Sequence, residues 1–227
     1  QAWDAATAGR VDLYLANSQF VAGRIRRYYG RASQVLAPPV ATDFFQATGE
    51  ARERFVLVVA ALAPYKKVDV AIEACRRAGV PLVVVGDGPE RARLQQAGGA
   101  STRFLARVGP QELRRLYSTA LCYLQTGIED FGIATVEALA CGTPVLAYGA
   151  GGVLDIVESG REGLLIDDPG VESLACGIDK IQQMQFNPMD LRSRAEEFSA
   201  ERFATRLKGY LRPFWPDTAR RLGFILL

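Results

Sequence analysis

The chain has 227 residues, 49% of them apolar and 23% charged, the size and balance of one large globular domain with a substantial core. Its net charge of +2 supplies no field that calls for nucleic acid or an acidic partner. It contains no histidine, which excludes a Ser-His-Asp triad, a histidine zinc ligand and a histidine general base.

The predicted elements alternate from the start. Residues 11–15 predict a strand, and Ser18 caps a helix that runs to Tyr29 with Gly30 as its stop. Residues 55–62 form a continuous apolar strand, the pattern of a parallel sheet covered on both faces. A helix over 67–78 follows, closed by Gly79; residues 80–85 predict the next strand, then Gly86-Asp-Gly-Pro89 and a short helix. A strand over 102–105, a helix over 110–120 and a strand over 121–124 lead to a helix over 132–141, stopped by Gly142 with Pro144 beyond. Residues 145–148, a helix near 153–158 and residues 163–166 complete the alternation. After Pro169 the pattern is helical only, over 171–184, 189–198 and 200–211. Repeated β-α units of this length predict a doubly wound parallel sheet with right-handed crossovers.

No apolar stretch approaches the ~20 residues a membrane span needs, and no leader peptide is recognisable. Cys75, Cys122, Cys141 and Cys176 lack C-x-x-C spacing and sit in apolar contexts, so they read as buried free thiols in a reducing cytoplasm. Arg24, Arg27 and Arg31 fall on one helical face with Arg26 beside them; a solvated basic face is preferred to an anionic-lipid site.

The densest motif is Glu129-Asp-Phe-Gly-Ile-Ala-Thr-Val-Glu137, two carboxylates bracketing the glycine at a helix start. It follows a strand, so it lies at the carboxyl edge of the sheet, where open α/β folds bind ligands. The first N–H groups of that helix lack internal partners and face any anion bound there. This stretch resembles the E-x7-E region of retaining glycosyltransferases of family four, which have the GT-B fold. Ala16-Asn-Ser-Gln-Phe-Val-Ala-Gly-Arg24, Val35-Leu-Ala-Pro-Pro-Val40, Pro64-Tyr-Lys-Lys-Val-Asp69, Gly86-Asp-Gly-Pro89 and Gly149-Ala-Gly-Gly152 resemble the later landmarks of that family in order.

The resemblance implies one Rossmann-like half of a GT-B enzyme, the C-terminal half that binds a nucleotide sugar, over residues 1–212. An acceptor-binding domain would precede it, and the apolar tail 213–227 would pack toward that domain. The implied donor is GDP-mannose first and a UDP-sugar second, with no metal and no other cofactor. The acceptor would be a glycan or lipid-linked, in the cytoplasm or at the cytoplasmic face of the membrane. Lys66 is implied to hold the diphosphate, together with the backbone at Gly132 and Ile133; Lys67 would substitute in part. Glu137 would accept from the ribose hydroxyls, Glu129 would contact the transferred sugar, and Phe131 belongs to the same donor-binding stretch. The family pairs its lysine with an arginine five positions earlier, but here that position is Ala61.

Arg107 and Val108 match the stretch beside the nucleobase, with core packing of Val108 an equal alternative. Gly86-Asp-Gly88 lacks the third glycine of a dinucleotide fingerprint, since position 91 is arginine, and reads as a tight turn that admits the donor. Gly151 and Gly152 would close around the sugar or phosphate. A module that binds a nucleotide sugar without catalysis is the alternative to the enzyme.

Overall fold

The computed structural model describes residues 2–214; the sequence-assigned tail therefore lies, beyond Phe214, outside the described residues. The chain opens with α1 (Ala2–Thr7), β1 (Leu15–Ala16), α2 (Gln19–Tyr29) and β2 (Gln34–Val35), the two short strands forming a parallel pair of their own. Of the strand predicted over 11–15 only Leu15 joins a ladder, which runs on to Ala16 beyond the expectation; their partners are Gln34 and Val35. Ser18 caps α2 by accepting from the Val21 amide, and Gly30 ends it in the left-handed region.

The main body follows as β3 (Val56–Val59), α3 (Val68–Arg77), β4 (Leu82–Val85), α4 (Arg91–Gly98), β5 (Thr102–Leu105), α5 (Pro110–Thr119), β6 (Cys122–Gln125), α6 (Ile133–Ala140), β7 (Val145–Tyr148), β8 (Gly163–Ile166), α7 (Val171–Gln183), α8 (Pro188–Glu196) and α9 (Ala200–Leu211). Six strands make one all-parallel sheet in the order β5-β4-β3-β6-β7-β8. The order reverses between β3 and β6, which opens a crevice at their carboxyl ends.

Both faces of the sheet are covered. Val56 and Val58 point into a core with Ile72, Leu174 and Ile178 of α3 and α7. Leu57 and Tyr123 point into the other, with Tyr117, Val136, Leu139 and Leu191 of α5, α6 and α8. Alternate side chains of β3 are therefore buried on opposite sides, and an uninterrupted apolar run results. The ladder stops at Val59, three residues short of the expectation, where the chain turns toward Lys66. Among the described residues no helix is long and apolar enough to cross a membrane.

Two further expectations are corrected. The helix near 153–158 is a single 3-10 turn, Gly152–Asp155, because the backbone just before it is held against the Glu129 loop. Three cysteines are buried, but Cys176 lies on the outer face of α7 and is exposed. Burial pushes the Cys75 and Cys141 thiols up to about 12, which leaves them unreactive at neutral pH.

Candidate functional site

The crevice at the switch point has a volume of about 480 Å³ and is lined by Asn17, Pro38, the ends of β3 and β6, Lys66 and residues 129–134. Each wall is built by close backbone approach. Lys66 ends a 3-10 turn, Pro64–Lys66, and Lys67 then takes φ 51° to start α3. That is a left-handed conformation unusual for a residue with a side chain. Thr126 Oγ1 donates to the Lys66 carbonyl at 2.6 Å. Gly127 admits this contact, since a β-carbon there would lie 2.8 Å from the Tyr65 carbonyl oxygen. The result aims Lys66 Nζ across the crevice, where it forms an ion pair with the Glu129 carboxylate. The two side chains are only 15% and 26% exposed, so solvent screens the pair less than a surface pair.

The Glu129 loop is clamped from two sides. Gly152 N–H donates to the Glu129 carbonyl at 2.8 Å, and Gly151 bridges Glu129 with φ 84°. A β-carbon on Gly152 would lie 2.4 Å from Phe131 Cα. On the other side Ser18 Oγ donates to the Asp130 carbonyl, and Arg24 pairs with the Asp130 carboxylate at 2.8 Å. Gly151 and Gly152 thus close around the backbone of the Glu129 loop. Arg24 stays half-exposed in this pair, as a solvated basic face implies, and Arg31 donates to the Val11 carbonyl at 2.7 Å.

Phe131 lends its backbone to the crevice but its ring to the core. It is 4% exposed and meets the Phe198 ring edge-on at 5.4 Å. Gly132 opens α6 with φ 114°, and no side chain caps the helix. The first amides of α6 are accordingly left for an anion. Ile133 stands half-exposed at the mouth.

Glu137 lies one turn further along α6, on the same face as Ile133, and is half-buried. Tyr117 O–H donates to its Oε2 at 2.8 Å. Burial raises the Glu137 carboxyl above the usual range, and the Tyr117 hydrogen bond pulls the other way. Tyr123 on β6, between the two acids, is pushed up by burial first and then by the charges of Glu129 and Glu137.

Gly86 and Val108 stand apart from these walls. Gly86 has φ 146°, and a β-carbon there would fall 1.9 Å from the Ala60 carbonyl, so its lack of a side chain serves the β3–β4 contact. Val108 is half-buried and packs on the core that contains Leu57 and Tyr123. Ala61 lines the crevice and brings no charge to it.

Sequence reasoning did not single out Tyr123, Gln125 or Tyr117. Gln125 is 4% exposed at the crevice floor; its Oε1 accepts from Thr135 Oγ1 at 2.8 Å, and its amide N–H donates to the Gly127 carbonyl at 3.4 Å. In sequence Tyr123 and Gln125 look like core, and the signal was their shared face on β6, opposite Cys122 and Leu124.

Residues 40–202, well over half of the chain, match the family model for glycosyl transferases group 1. The chain belongs to that family. A GDP-mannose-dependent alpha-mannosyltransferase of Mycobacterium tuberculosis is 41% identical over 109 residues, 48% of this chain and 29% of its own length. A D-inositol 3-phosphate glycosyltransferase of a Mycobacterium species is 32% identical over 161 residues, 66% of this chain and 36% of its own. The chain thus spans about a third of the length of the curated relatives it matches.

Among solved structures, the sucrose-phosphate synthase of Thermosynechococcus elongatus superposes with a TM-score of 0.81 at 21% identity, over 94% of this chain and 61% of that one. Anabaena HepE, crystallised with UDP and glucose, gives 0.77 at 22% identity, over 88% and 63%. At such identities the likeness shows the fold, and this group 1 chain is built as one Rossmann-like half of a GT-B glycosyltransferase.

Proposed function

We propose that this chain is the donor-binding half of a retaining glycosyltransferase and holds a nucleoside-diphosphate sugar in the β3–β6 crevice without a metal. The observation that carries the reading is the juxtaposition of Lys66, Glu129 and the uncapped start of α6 at the switch point, with Glu137 one turn deeper. The diphosphate would lie against the α6 amides and draw Lys66 away from Glu129; Glu137 would accept from the ribose. Glu129, released, would face the transferred sugar and stabilise positive charge at its anomeric carbon. In the transfer the bond from the anomeric carbon to the phosphate oxygen breaks. The acceptor hydroxyl oxygen bonds to the same face, and its proton passes to the departing phosphate. No histidine is needed for this.

The mannosyltransferase relative favours GDP-mannose as donor, with a UDP-sugar the alternative. The acceptor, a glycan or a lipid-linked sugar, would be held by residues outside this crevice. Ala61 favours a second reading, a nucleotide-sugar-binding module without transfer, because the arginine expected there is absent.

Calorimetry with GDP, UDP and ADP in excess chelator tests the binding. One of the nucleotides should bind with the chelator present, and strict metal dependence would refute the reading. Lys66→Ala should weaken diphosphate binding roughly tenfold while leaving the bare nucleoside unaffected, since only the phosphates lose their cation. Glu129→Gln should do the opposite. Removing the competing carboxylate frees Lys66, so diphosphate binding should tighten several-fold while sugar transfer by the whole protein falls. Unchanged affinity in both variants would show that the phosphates bind elsewhere. A whole protein that binds the donor yet never transfers it would decide for the module.

A further inference from the structure

Glu137 is an acid half-buried among small apolar residues of α6, with burial the foremost influence on its carboxyl. Lys66, the cation of the crevice, is engaged by Glu129. Among the described residues the hydrogen-bond donor to the Glu137 carboxylate is the Tyr117 hydroxyl, at 2.8 Å. Tyr117 is itself fully buried, and its ring is wedged edge-on between Phe45 at 5.8 Å and Tyr123 at 6.0 Å. Its backbone is fixed as well, the Tyr117 carbonyl accepting from Thr143 Oγ1. The hydroxyl therefore has one place to be, and the carboxylate must meet it there.

A buried tyrosine hydroxyl needs only a neutral acceptor, and a backbone carbonyl would serve at less desolvation cost than a carboxylate. A charged acceptor held this way makes sense where its other oxygen is kept for a ligand. We propose that Tyr117 is a positioning residue for ribose recognition: it pins Oε2 of Glu137 and so presets Oε1 to accept from a ribose hydroxyl. This rests on the assignment of Glu137 to the ribose. The ligand class is a ribonucleoside diphosphate, and Tyr117 acts on it only through Glu137.

The test compares GDP and UDP with their 2′,3′-dideoxy counterparts by calorimetry, on the parent, Tyr117→Phe, Glu137→Ala and the double variant. Tyr117→Phe keeps the ring and both edge contacts. It should weaken the ribonucleotide about 3–10-fold, leave the dideoxynucleotide unchanged, and add nothing in the Glu137→Ala background. The ratio of the two affinities is the readout, because any unfolded fraction lowers both alike. An equal loss for both nucleotides, no loss for either, or a full additional loss in the Glu137→Ala background would each overturn the positioning role. A Glu137→Ala variant that keeps the parent's ratio would instead overturn the ribose assignment itself, and the Tyr117 role with it.

Discussion

Glu137→Ala is expected to weaken binding of a ribonucleoside diphosphate by about 10–150-fold, roughly 1.5–3 kcal/mol, the usual worth of a hydrogen bond to a charged group. The side chain is half-buried one turn along α6 from the crevice-lining Ile133, so a ribose reaching that far would meet it with little competing water. Removing the acid also removes a desolvated charge, which offsets part of the folding cost of leaving the buried Tyr117 hydroxyl without its acceptor. Acidification should mimic the mutation. Burial raises the Glu137 carboxyl, so its contribution to affinity should start to fall at a higher pH than an ordinary glutamate would set. That component should be missing from Glu137→Ala, which keeps only the decline from protonation of the ligand's phosphate. Calorimetry across the acidic range checks both. A mutant that binds as tightly as the parent would remove Glu137 from the site.

Gly152→Ala is expected to lower stability by roughly 3 kcal/mol, a fall of about 6–12 °C in Tm, and to cripple nucleotide binding with it. A β-carbon there would meet only backbone: Phe131 Cα at 2.4 Å, the Asp130 carbonyl at 2.5 Å and the Phe131 carbonyl at 2.6 Å. None of these atoms can swing aside as a side-chain tip would. The loop that carries Glu129 and starts α6 must shift as a body, which misaligns Lys66, Glu129 and the α6 amides together. Gly209→Ala is the matched control. It sits within α9 with nothing within 4 Å of a new β-carbon, and should stabilise by about 0.5–1 kcal/mol through helix propensity alone. Thermal melts of the two variants separate crowding from the generic effect of replacing a glycine. Parent-like melting of Gly152→Ala would show that the loop yields freely.

Much of the architecture was legible because it rests on local rules. Ser18 and Gly30 bound α2, and the strands Thr102–Leu105, Val145–Tyr148 and Gly163–Ile166 appear where apolar runs stop at turn residues. The errors share a cause, which is that partners set where an element ends. β1 keeps one of the five predicted residues, Leu15, and extends to Ala16, because these are the two that find a neighbour in β2. The predicted helix after Gly152 shrinks to one turn because the Glu129 loop captures the backbone ahead of it.

The site divides the same way. Glu129, Gly132 and Glu137 stood out by themselves, since carboxylates and a glycine at a helix start after a buried strand are a local pattern. Gly86 stood out too, yet the contact that demands it is the Ala60 carbonyl of the neighbouring strand. Phe131 reads as a crevice residue, yet its ring goes to Phe198, far along the chain.

The sequence by itself determined the alternating β-α order and which charged residues reach the carboxyl edge of the sheet, because periodicity, caps and glycine stops act within a dozen residues. Only the tertiary structure decided that β3 lies beside β6. That adjacency pairs Lys66 with Glu129 across 63 residues. The packing of α5 on α6 likewise decided that Tyr117 holds Glu137. Strand order follows from how helices cover the two faces, a sum of burial over the whole chain that no local window contains.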